Sequence, residues 1–405
     1  MFKIIKKSKA TAARAGIINT ARGKIRTPFF MPDATRGFIK TAGNDDLLKI
    51  GMGPMAVNTY HLFLQPGIEI IKKAGGIHKF MDWPGPLLSD SGGYQVFSLI
   101  RGKTRNPAMA GRKDAEENMP RRGNEPMGRV TDRGVIFKSP LDGKSHELTP
   151  EKAIKIQFDL GVDMMVCLDD CPPNNVSKEE IEKSVERTIA WARRCKKEYN
   201  KKIAHRKSRI VNRKRPLLFA VIQGGPYMNL RKYCAEELVK IGFDGYGFGA
   251  RHIGAKGEFL DDVLAYTAAL IPENSLRFAL GIGTPEDIIK CVSCGWDMFD
   301  CVIPTREGRH GKIFLKKNFE FLISNFKFLK NAKKFYETVN ITNSKFARDF
   351  SPINADSKLS ELRQYSKAYL NHLFKLKEPL GQRLVSLNNL EFYLDLMKKV
   401  KAGID

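Results

Sequence analysis

A chain of 405 residues, 42% hydrophobic and 28% charged, is long enough for one large α/β barrel and an appendage. Its 69 Lys and Arg residues outnumber 44 Asp and Glu residues, which gives a formal net charge of +25. This surplus indicates either a solvated basic surface or a polyanionic partner whose phosphates release counterions on binding. No apolar stretch of 18 or more residues is present, so the sequence predicts no membrane-spanning segment.

The N-terminal segment Met1–Lys7 is basic, but no apolar run follows it, so it does not resemble a signal peptide. The seven cysteines are odd in number and do not form the pattern of a disulfide framework. We therefore expect a reduced, cytoplasmic protein.

From about residue 52 the chain repeats one pattern, a short apolar run followed by a turn and a helical stretch. Continuous runs rich in Val, Ile, Leu and Phe are typical of parallel strands buried on both faces. Capping sequences at Thr149, Ser177 and Thr284 predict the starts of three of the helices. The predicted strand runs are Pro54–Tyr60, Pro86–Asp90, Asp163–Asp169, Leu217–Gln223, Gly245–Gly249, Arg277–Gly283 and Met298–Pro304.

Repeated βα units form either a doubly wound sheet or a (β/α)8 barrel. No glycine-rich phosphate-binding motif follows the first strand, which argues against the usual nucleotide-binding folds. Polar residues lie instead at the carboxyl ends of many runs, namely Asp90, Asp169, Gln223 and Asp300. Only a barrel brings so many strand ends to one site. The prediction is an α/β protein, a (β/α)8 TIM barrel with a C-terminal helical appendage.

The predicted catalytic barrel covers residues 1–312, and a C-terminal helical region covers 313–405. Residues 101–133 lack periodicity and are predicted to form an inserted loop on the active-site face. The basic run 201–215 precedes a strand and is predicted to be a solvated loop on the opposite face, with a substrate contact as the alternative. In the C-terminal region, Tyr365–Phe374 and Leu387–Val400 are the clearest amphipathic stretches.

Two strand-end carboxylates, Asp90 and Asp300, carry the chemistry that the sequence predicts. A carboxylate at the end of a buried strand is held rigidly, and two of them suit a displacement at a sugar carbon. Arg306, Arg309 and His310 follow Asp300 and suit a phosphate-bearing substrate. Together they indicate glycosyl chemistry on a nucleic acid. The alternative is that Asp300 caps a helix and Asp90 caps the turn that follows it.

Six collinear motifs resemble those of the bacterial-type tRNA-guanine transglycosylases of the queuosine pathway. The resemblance covers roughly residues 10–400 and implies exchange of the wobble guanine, position 34 of tRNA, for a 7-deazaguanine base. The motifs are Asp90–Ser98, Cys167–Pro173, Val221–Gly225, Gly242–Tyr246, Gly281–Asp287 and Asp297–Arg306.

The resemblance assigns Asp300 as the nucleophile that forms a covalent ribosyl ester, and Asp90 as the proton acceptor and general acid. It assigns Asp169 and Gln223 to reading the edge of the base, because a carboxylate accepts hydrogen bonds and an amide donates them. The substrate-binding residues that it implies are Ser91, Gly92, Gly93, Tyr94, Asp169, Gln223, Gly249, Ala250 and Leu280. The RNA-binding residues that it implies are Gly281, Ile282, Gly283, Thr284, Pro285, Glu286, Asp287, Thr305, Arg306, Glu307, Gly308 and Arg309.

The chain departs from the family pattern in the loop 249–258. Ala250 stands where the family has a glycine, and three residues are inserted before Glu258. Because that loop recognises the 7-substituent of the incoming base in the family, the identity of this base stays open between preQ1, queuine and another 7-deazaguanine.

The second departure concerns a structural zinc site, which in the family has three Cys ligands and one His. The aligned positions here are Ser357, Leu359, Leu362 and Asn388, so we expect no metal and no cofactor. Our hypothesis is that apolar burial of Leu359 and Leu362 supplies part of the stability that the metal gives, about 1.5–3 kcal/mol each if they are fully buried.

The partners that the resemblance implies are tRNA with a GUN anticodon, guanine, a 7-deazaguanine base (preQ1 or queuine) and possibly a second copy of the chain. Two alternatives stay open at this point. One is a transglycosylase that acts on DNA or on another RNA position, and the other is a non-catalytic accessory subunit. Retention of Asp90, Asp169 and Asp300 argues against the accessory subunit.

Overall fold

The computed structural model describes residues 2–100, 128–173, 176–207, 214–250, 252–254, 257–317, 319 and 335–404. Its strands are β1 (Phe2–Lys7), β2 (Arg14–Thr20), β3 (Gly23–Thr27), β4 (Phe29–Pro32), β5 (Met55–Asn58), β6 (Leu87–Asp90), β7 (Gly128–Val130), β8 (Val135–Lys138), β9 (Ser145–Leu148), β10 (Met164–Val166), β11 (Leu217–Ile222), β12 (Gly245–Phe248), β13 (Leu276–Ala279), β14 (Met298–Cys301), β15 (Lys312–Lys316) and β16 (Tyr336–Asn340).

The helices alternate with strands through the middle of the chain and follow one another near its C-terminus. They are α1 (Asn44–Ile50), α2 (Thr59–Leu64), α3 (Ile68–Lys73), α4 (Ile77–Phe80), α5 (Gly93–Ile100), α6 (Pro150–Leu160), α7 (Lys178–Lys207), α8 (Met228–Ile241), α9 (Asp261–Leu270), α10 (Pro285–Ser293), α11 (Ile303–Arg309), α12 (Ser360–Gln364), α13 (Lys367–Lys375) and α14 (Pro379–Ala402).

Eight strands form one sheet in the order β4-β14-β13-β12-β11-β10-β6-β5. The described pairs are parallel, and a parallel bridge between Asp33 and Ala56 joins the first strand of this order to the last. The predicted (β/α)8 barrel with C-terminal helices is therefore confirmed. All six residues of β11 are buried, as a continuous apolar run predicts for a strand covered on both faces.

The chain divides into two compact units, which we describe separately. The first unit contains residues 1–56, 81–86 and 276–405, and the second contains 57–80 and 87–275. The first includes β4, β13 and β14 together with the C-terminal region. The second includes β6, β10, β11 and β12.

The predicted helix starts are confirmed by their capping hydrogen bonds. The Thr149 hydroxyl accepts the N–H of Lys152 at 3.2 Å, and the Thr284 hydroxyl accepts the N–H of Asp287 at 3.2 Å. Each helix has proline at its first position, where no N–H is needed. The Ser177 hydroxyl likewise accepts the N–H of Glu180 at 3.3 Å.

A buried ion pair holds the residue just before β14 in place. The guanidinium of Arg14 in β2 donates to Asp297 at 3.0 and 2.6 Å, and Asp297 also accepts the backbone N–H of Arg277 at 2.8 Å. Because breaking a buried pair leaves an uncompensated charge, these contacts hold the start of the strand that carries Asp300.

Four sequence predictions need correction. The strand Phe29–Pro32 was missing from the predicted runs, because only four apolar residues follow the N-terminal hairpin without a helical stretch directly after them. The predicted loop 101–133 ends in a strand, Gly128–Val130, while 101–127 lie outside the described residues.

The basic run 201–215 is not simply a loop, because Lys201–Lys207 are the last turns of the 30-residue helix α7; residues 208–213 lie outside the described part of the chain. The C-terminal region contains an antiparallel pair, β15 with β16, besides its helices. Among the described residues, no helix is long and apolar enough to cross a membrane. The domain division at residue 312 stays a prediction.

Candidate active site

In the second unit, Asp90 ends β6 and is held by three donors. Its Oδ2 accepts from the Asn58 side-chain amide at 2.5 Å, and its Oδ1 accepts the N–H groups of Thr59 and Gly92, each at 3.1 Å. Gly92 has a φ of 76°, and a Cβ there would lie 2.8 Å from the backbone nitrogen of Tyr60. The tight turn after the strand therefore requires glycine and fixes the position of the carboxylate.

The residues after Asp90 form a turn that leads into α5. Ser91 is buried and its hydroxyl accepts the N–H of Gly93 at 3.2 Å. A Cβ on Gly93 would lie 3.0 Å from Leu168, so this turn packs closely on the segment after β10. The side chain of Tyr94 is 49% exposed, which suits a ring on which a base could stack.

Asp169 and Gln223, the two predicted base readers, contact each other directly. The Gln223 amide donates to Asp169 Oδ2 at 2.7 Å, and its side chain also forms a hydrogen bond with the Cys171 sulfur. Burial raises the pKa of Asp169 to about 7. The hydrogen bond from Gln223 lowers this pKa, and the charge of Asp170 raises it. A Cβ on Gly249 would lie 2.6 Å from the Gln223 amide, so glycine at 249 makes room for the base-reading side chain.

A fully buried arginine that sequence reasoning missed supports these strand ends. Arg231 in α8 donates to the carbonyls of Gly225 at 2.7 Å, Gly249 at 3.0 Å and Ile222 at 3.4 Å. Its guanidinium lies 4.0 Å from the ring centroid of Phe248, and burial lowers its pKa to about 9. It forms no ion pair within the described residues. We name this group the Arg231 clamp, because one side chain holds the ends of β11 and β12.

Ala250 adopts the left-handed conformation, with a φ of 72°. Such a conformation costs an L-residue about 1–2 kcal/mol, so the replacement of glycine noted in the sequence carries strain. The backbone of Ala250 forms a hydrogen bond with Cys171. In the described part of the following loop, the rings of His252 and Phe259 meet edge to face with centroids 5.9 Å apart.

In the first unit, Asp300 lies near the end of β14 and, among the described residues, accepts hydrogen bonds only from backbone N–H groups. One oxygen accepts the N–H of Gly281 at 2.8 Å, and no Lys or Arg of the described residues forms an ion pair with it. Burial raises the pKa of Asp300 to about 7, while the hydrogen bond from Gly281 lowers it and the charge of Asp33 raises it. Asp300 is thus a partly buried carboxylate that no cation of the described residues neutralises.

Two tyrosine hydroxyls hold the segment Gly281–Asp287 in place. Tyr393 donates to the carbonyl of Gly283 at 2.6 Å, and Tyr336 donates to the Glu286 carboxylate at 2.7 Å. A Cβ on Gly283 would come within 1.8 Å of the Cys301 sulfur, so only glycine fits there. Of the predicted contact residues in this region, Ile282, Gly283 and Pro285 are buried, whereas Leu280, Gly281, Thr284, Glu286 and Asp287 retain exposure.

The segment Thr305–Arg309 belongs to α11, which begins just after Asp300 and packs on α14. A Cβ on Gly308 would lie 2.8 Å from the backbone of Ser386, and Thr305 is also buried. The side chains of this segment that a ligand can reach are those of Arg306, Glu307 and Arg309. Arg306 lies 3.6 Å from Glu307 in an ion pair.

The loop after β4 adds charged residues that the sequence did not single out. Burial lowers the pKa of Lys40, and the like charges of Arg309 and Arg36 lower it further, so these three cations lie near one another. Asp33 in the same loop is close enough to influence Asp300. The signal that could have revealed them is the position of this loop at the carboxyl end of a barrel strand, but that strand was not predicted.

The matching family model is that of the queuine tRNA-ribosyltransferases, which covers residues 8–405. The chain belongs to this family. It is 39% identical over 403 residues to the queuine tRNA-ribosyltransferase of Halothermothrix orenii, covering 100% of this chain and 93% of the relative. The corresponding enzyme of Caldanaerobacter subterraneus subsp. tengcongensis is 38% identical over 403 residues, with the same coverage. The chain is therefore a transferase of the tRNA-guanine transglycosylase class.

The side chains at the family's zinc-ligand positions do not fit that metal. Leu359 and Leu362 are buried hydrocarbons, 2% and 0% exposed, and offer no donor. The Asn388 amide is occupied, since it donates to the carbonyl of Phe314 and accepts from Asn354, both at 3.0 Å. Within the described ranges no group of three or more His, Cys, Asp or Glu side chains could hold a metal ion.

A carboxylate lies at the centre of the region where the family has its metal. Glu391 of α14 accepts a short hydrogen bond from the Ser357 hydroxyl and the N–H of Lys358 at 2.8 Å. The Ser357 hydroxyl in turn accepts the N–H of Leu359 at 3.0 Å. This Glu391 network connects the segment before α12 to α14, and it was not predicted from the sequence.

Proposed function

We propose that the chain exchanges the wobble guanine, position 34 of a tRNA with a GUN anticodon, for the 7-deazaguanine base preQ1 or queuine. The observation that carries the proposal is the state of Asp300 within a chain of this family. It is a partly buried carboxylate with backbone donors only and no cation partner in the described residues. Such a carboxylate suits attack on carbon.

In the first half of the proposed reaction, a carboxylate oxygen of Asp300 attacks C1′ of the ribose. A C–O bond forms as the C1′–N9 bond breaks, and guanine leaves with the bonding electron pair. A proton delivered by Asp90 neutralises the leaving base. The product is a covalent ribosyl ester that keeps the RNA attached to the enzyme.

In the second half, Asp90 takes the N9 proton of the incoming base. N9 then attacks C1′, and the ester bond breaks to return Asp300 as a carboxylate. The three donors that hold Asp90 support its role as proton acceptor, because they fix its position and favour its carboxylate form. The use of one acid for both proton transfers is what a ping-pong exchange requires.

Asp169 and Gln223 would read the base in both halves. The carboxylate can accept from N1–H and the exocyclic amine of a guanine-like edge, and the side-chain amide of Gln223 can donate to O6. Their mutual hydrogen bond supports this assignment because it orients both groups before the base arrives. Tyr94 would stack on the base, and Ser91, Gly92, Gly93, Gly249, Ala250 and Leu280 would line the pocket.

The RNA would be held by the exposed part of two segments, Gly281–Asp287 and Thr305–Arg309. Arg306 and Arg309 offer guanidinium groups to phosphates, and the formal net charge of +25 supports a polyanionic partner. A tRNA substrate would place the reaction in the cytoplasm. The homodimer that the family resemblance implies stays a prediction.

The test is incorporation of radiolabelled guanine into a mixed tRNA pool, into a synthetic anticodon stem-loop and into duplex DNA. We expect incorporation into both RNAs, a covalent RNA adduct that resists denaturation, and loss of both in Asp300→Ala. Incorporation into DNA alone would favour the DNA-modifying alternative, and none at all would favour the accessory subunit. Competition by unlabelled preQ1 and queuine then identifies the incoming base.

A further inference from the structure

A second carboxylate lies beside Asp300 in the first unit. In the parallel pairing of β14 with β4, Asp300 is opposite Met31 and Cys301 is opposite Pro32. Side chains alternate along a strand, so Asp33, two residues beyond Met31, points to the same side of the sheet as Asp300. Diagonal neighbours of this kind lie roughly 7–8 Å apart. The charge of Asp33 accordingly raises the pKa of Asp300.

Asp33 is held firmly yet keeps capacity for a ligand. Its backbone pairs with Ala56, and the N–H of Ala34 donates to the Ala56 carbonyl at 2.7 Å. Its carboxylate accepts the Thr35 hydroxyl at 2.7 Å, and within the described residues it forms no ion pair with Lys or Arg. Burial raises the pKa of Asp33, against the hydrogen bonds from Thr35.

Folding alone does not account for this arrangement. Two carboxyl groups that are poorly solvated and near each other disfavour ionisation of both, and a cation or an apolar side chain at 33 would be less costly. Groups perturbed in this way at strand ends of a barrel are candidates for contact with substrate. A phosphate is an unsuitable partner for Asp33, because the carboxylate and the phosphate would both be anionic. A hydroxyl is suitable.

We infer that Asp33 accepts a hydrogen bond from the 2′-hydroxyl of the ribose that Asp300 attacks, and that it selects RNA over DNA. This inference rests on the proposed function. The attacking oxygen lies about 3 Å from C1′ in a reactive complex, and the hydroxyl on the next carbon reaches an acceptor about 2.7 Å further away. A carboxylate diagonal to Asp300 is within that reach.

The contact would help the transition state more than the ground state. Hydrogen bonds to the hydroxyl next to the reacting carbon strengthen as positive charge develops on the sugar. Asp33 also places a negative charge near that carbon. The 2′-hydroxyl is the group by which a protein distinguishes RNA from DNA at a given nucleotide. Asp33 is thus a specificity-determining residue in this inference.

The experiment compares two synthetic anticodon stem-loops that differ only at position 34, one with guanosine and one with 2′-deoxyguanosine. The readout is kcat/KM for labelled guanine exchange on each. We expect the native chain to prefer the ribose substrate by roughly 10- to 100-fold, the range of one hydrogen bond to a charged group. In Asp33→Val the ribose substrate should lose this advantage while exchange on the deoxy substrate is little changed.

Asp395→Asn is the matched control, since it removes a carboxylate of the same unit that pairs with Lys316 on the surface, and it should keep the native preference. Asp33→Asn and Thr35→Val should each reduce the preference in part, and they provide a readout if Asp33→Val does not fold. The inference is overturned if all three variants retain the native preference, or if they lose activity equally on both substrates. In either case, guanine exchange by the native chain upholds the proposed function. Failure of the native chain on both substrates refutes the proposed function instead.

Discussion

The two strand-end carboxylates of the first unit, Asp33 and Asp300, are partly buried, and the polar side chains of the C-terminal region named below are buried; their hydrogen bonding differs as well. Among the described residues, Asp300 accepts hydrogen bonds only from backbone N–H groups, and Asp33 is bonded only to Thr35. Glu391 accepts from both Ser357 and Lys358. Asn389 donates to the carbonyls of Pro304 and Lys312 and accepts the N–H of Phe314.

This contrast separates groups that await a ligand from groups that hold the fold. A carboxylate that is removed from water and accepts fewer hydrogen bonds than it can lowers the stability of the fold. A protein retains such a group where a substrate supplies the missing hydrogen bonds. A saturated network contributes stability and offers nothing to a ligand. The hydrogen bonds of Glu391 and Asn389 in the C-terminal region thus belong to the second kind.

The largest effect on stability is expected from Leu362→Ala. Leu362 is fully buried, so its truncation leaves a cavity and should lower the free energy of unfolding by about 2–5 kcal/mol. Denaturant titration measures this loss, and guanine exchange below the unfolding transition should persist. Leu376→Ala, at a position that is 59% exposed, is the matched control and should change stability by less than about 0.5 kcal/mol.

The same comparison predicts that removal of metal does not change the stability of the protein. Native protein purified without added zinc and then treated with a chelator should keep its unfolding transition, because the side chains at 357, 359, 362 and 388 do not fit the ion. Elemental analysis that finds one tightly held zinc per chain would contradict this explanation of the C-terminal region.

A smaller effect, specific to the base, is expected from Arg231→Lys. The lysine ammonium keeps the positive charge, but a single nitrogen cannot donate to all three carbonyls of the Arg231 clamp at once. The ends of β11 and β12 therefore lose part of their support. We expect the KM for guanine to rise about tenfold, the cost of one lost buried hydrogen bond, with the KM for tRNA unchanged.

Arg193→Lys serves as the matched control for the clamp. Arg193 lies in the same unit, is 55% exposed and pairs with Glu237, so its replacement should leave both KM values unchanged. Equal increases in both KM values of Arg231→Lys would indicate a general structural role and contradict the clamp.

The last effect is a pH dependence of stability. The pKa of Asp300 is about 7 in the folded chain and 3.8 in an unfolded one, so the folded state holds the proton over a wider range. The stability that this group contributes is therefore complete below about pH 4 and is lost as the pH rises to about 7. Asp300→Asn cannot ionise, and it should unfold at a higher temperature than the native chain at pH 8.

At pH 4 the difference between the two chains should shrink, because the native carboxyl is then protonated in the folded state and partly protonated in the unfolded state. Thermal unfolding monitored by circular dichroism between pH 4 and pH 8 measures it. An Asn variant that is less stable than the native chain at pH 8 would show that Asp300 is stabilised as an anion. The lack of a cation partner among the described residues argues against that outcome.

The barrel was predictable because its strands are continuous apolar runs, and such runs need only hydrophobicity and turn residues to be recognised. The helix starts at Thr149 and Thr284 were predictable because capping is local. Phe29–Pro32 was not, since a four-residue strand without a helix directly after it has no periodicity to detect. The end of α7 at Lys207 was also missed, because a basic composition is compatible with both helix and loop.

The sequence by itself determined the family, the reaction class and the order of the strand-end residues, because motifs such as Asp297–Arg306 are contiguous along the chain. Only the tertiary structure decided which groups support them. The Arg231 clamp, the Glu391 network and the pairing that sets Asp33 beside Asp300 join residues that are distant in sequence or lie on separate elements. Hydrogen bonds and charge interactions depend on distance in space, and local sequence patterns carry no information about that distance.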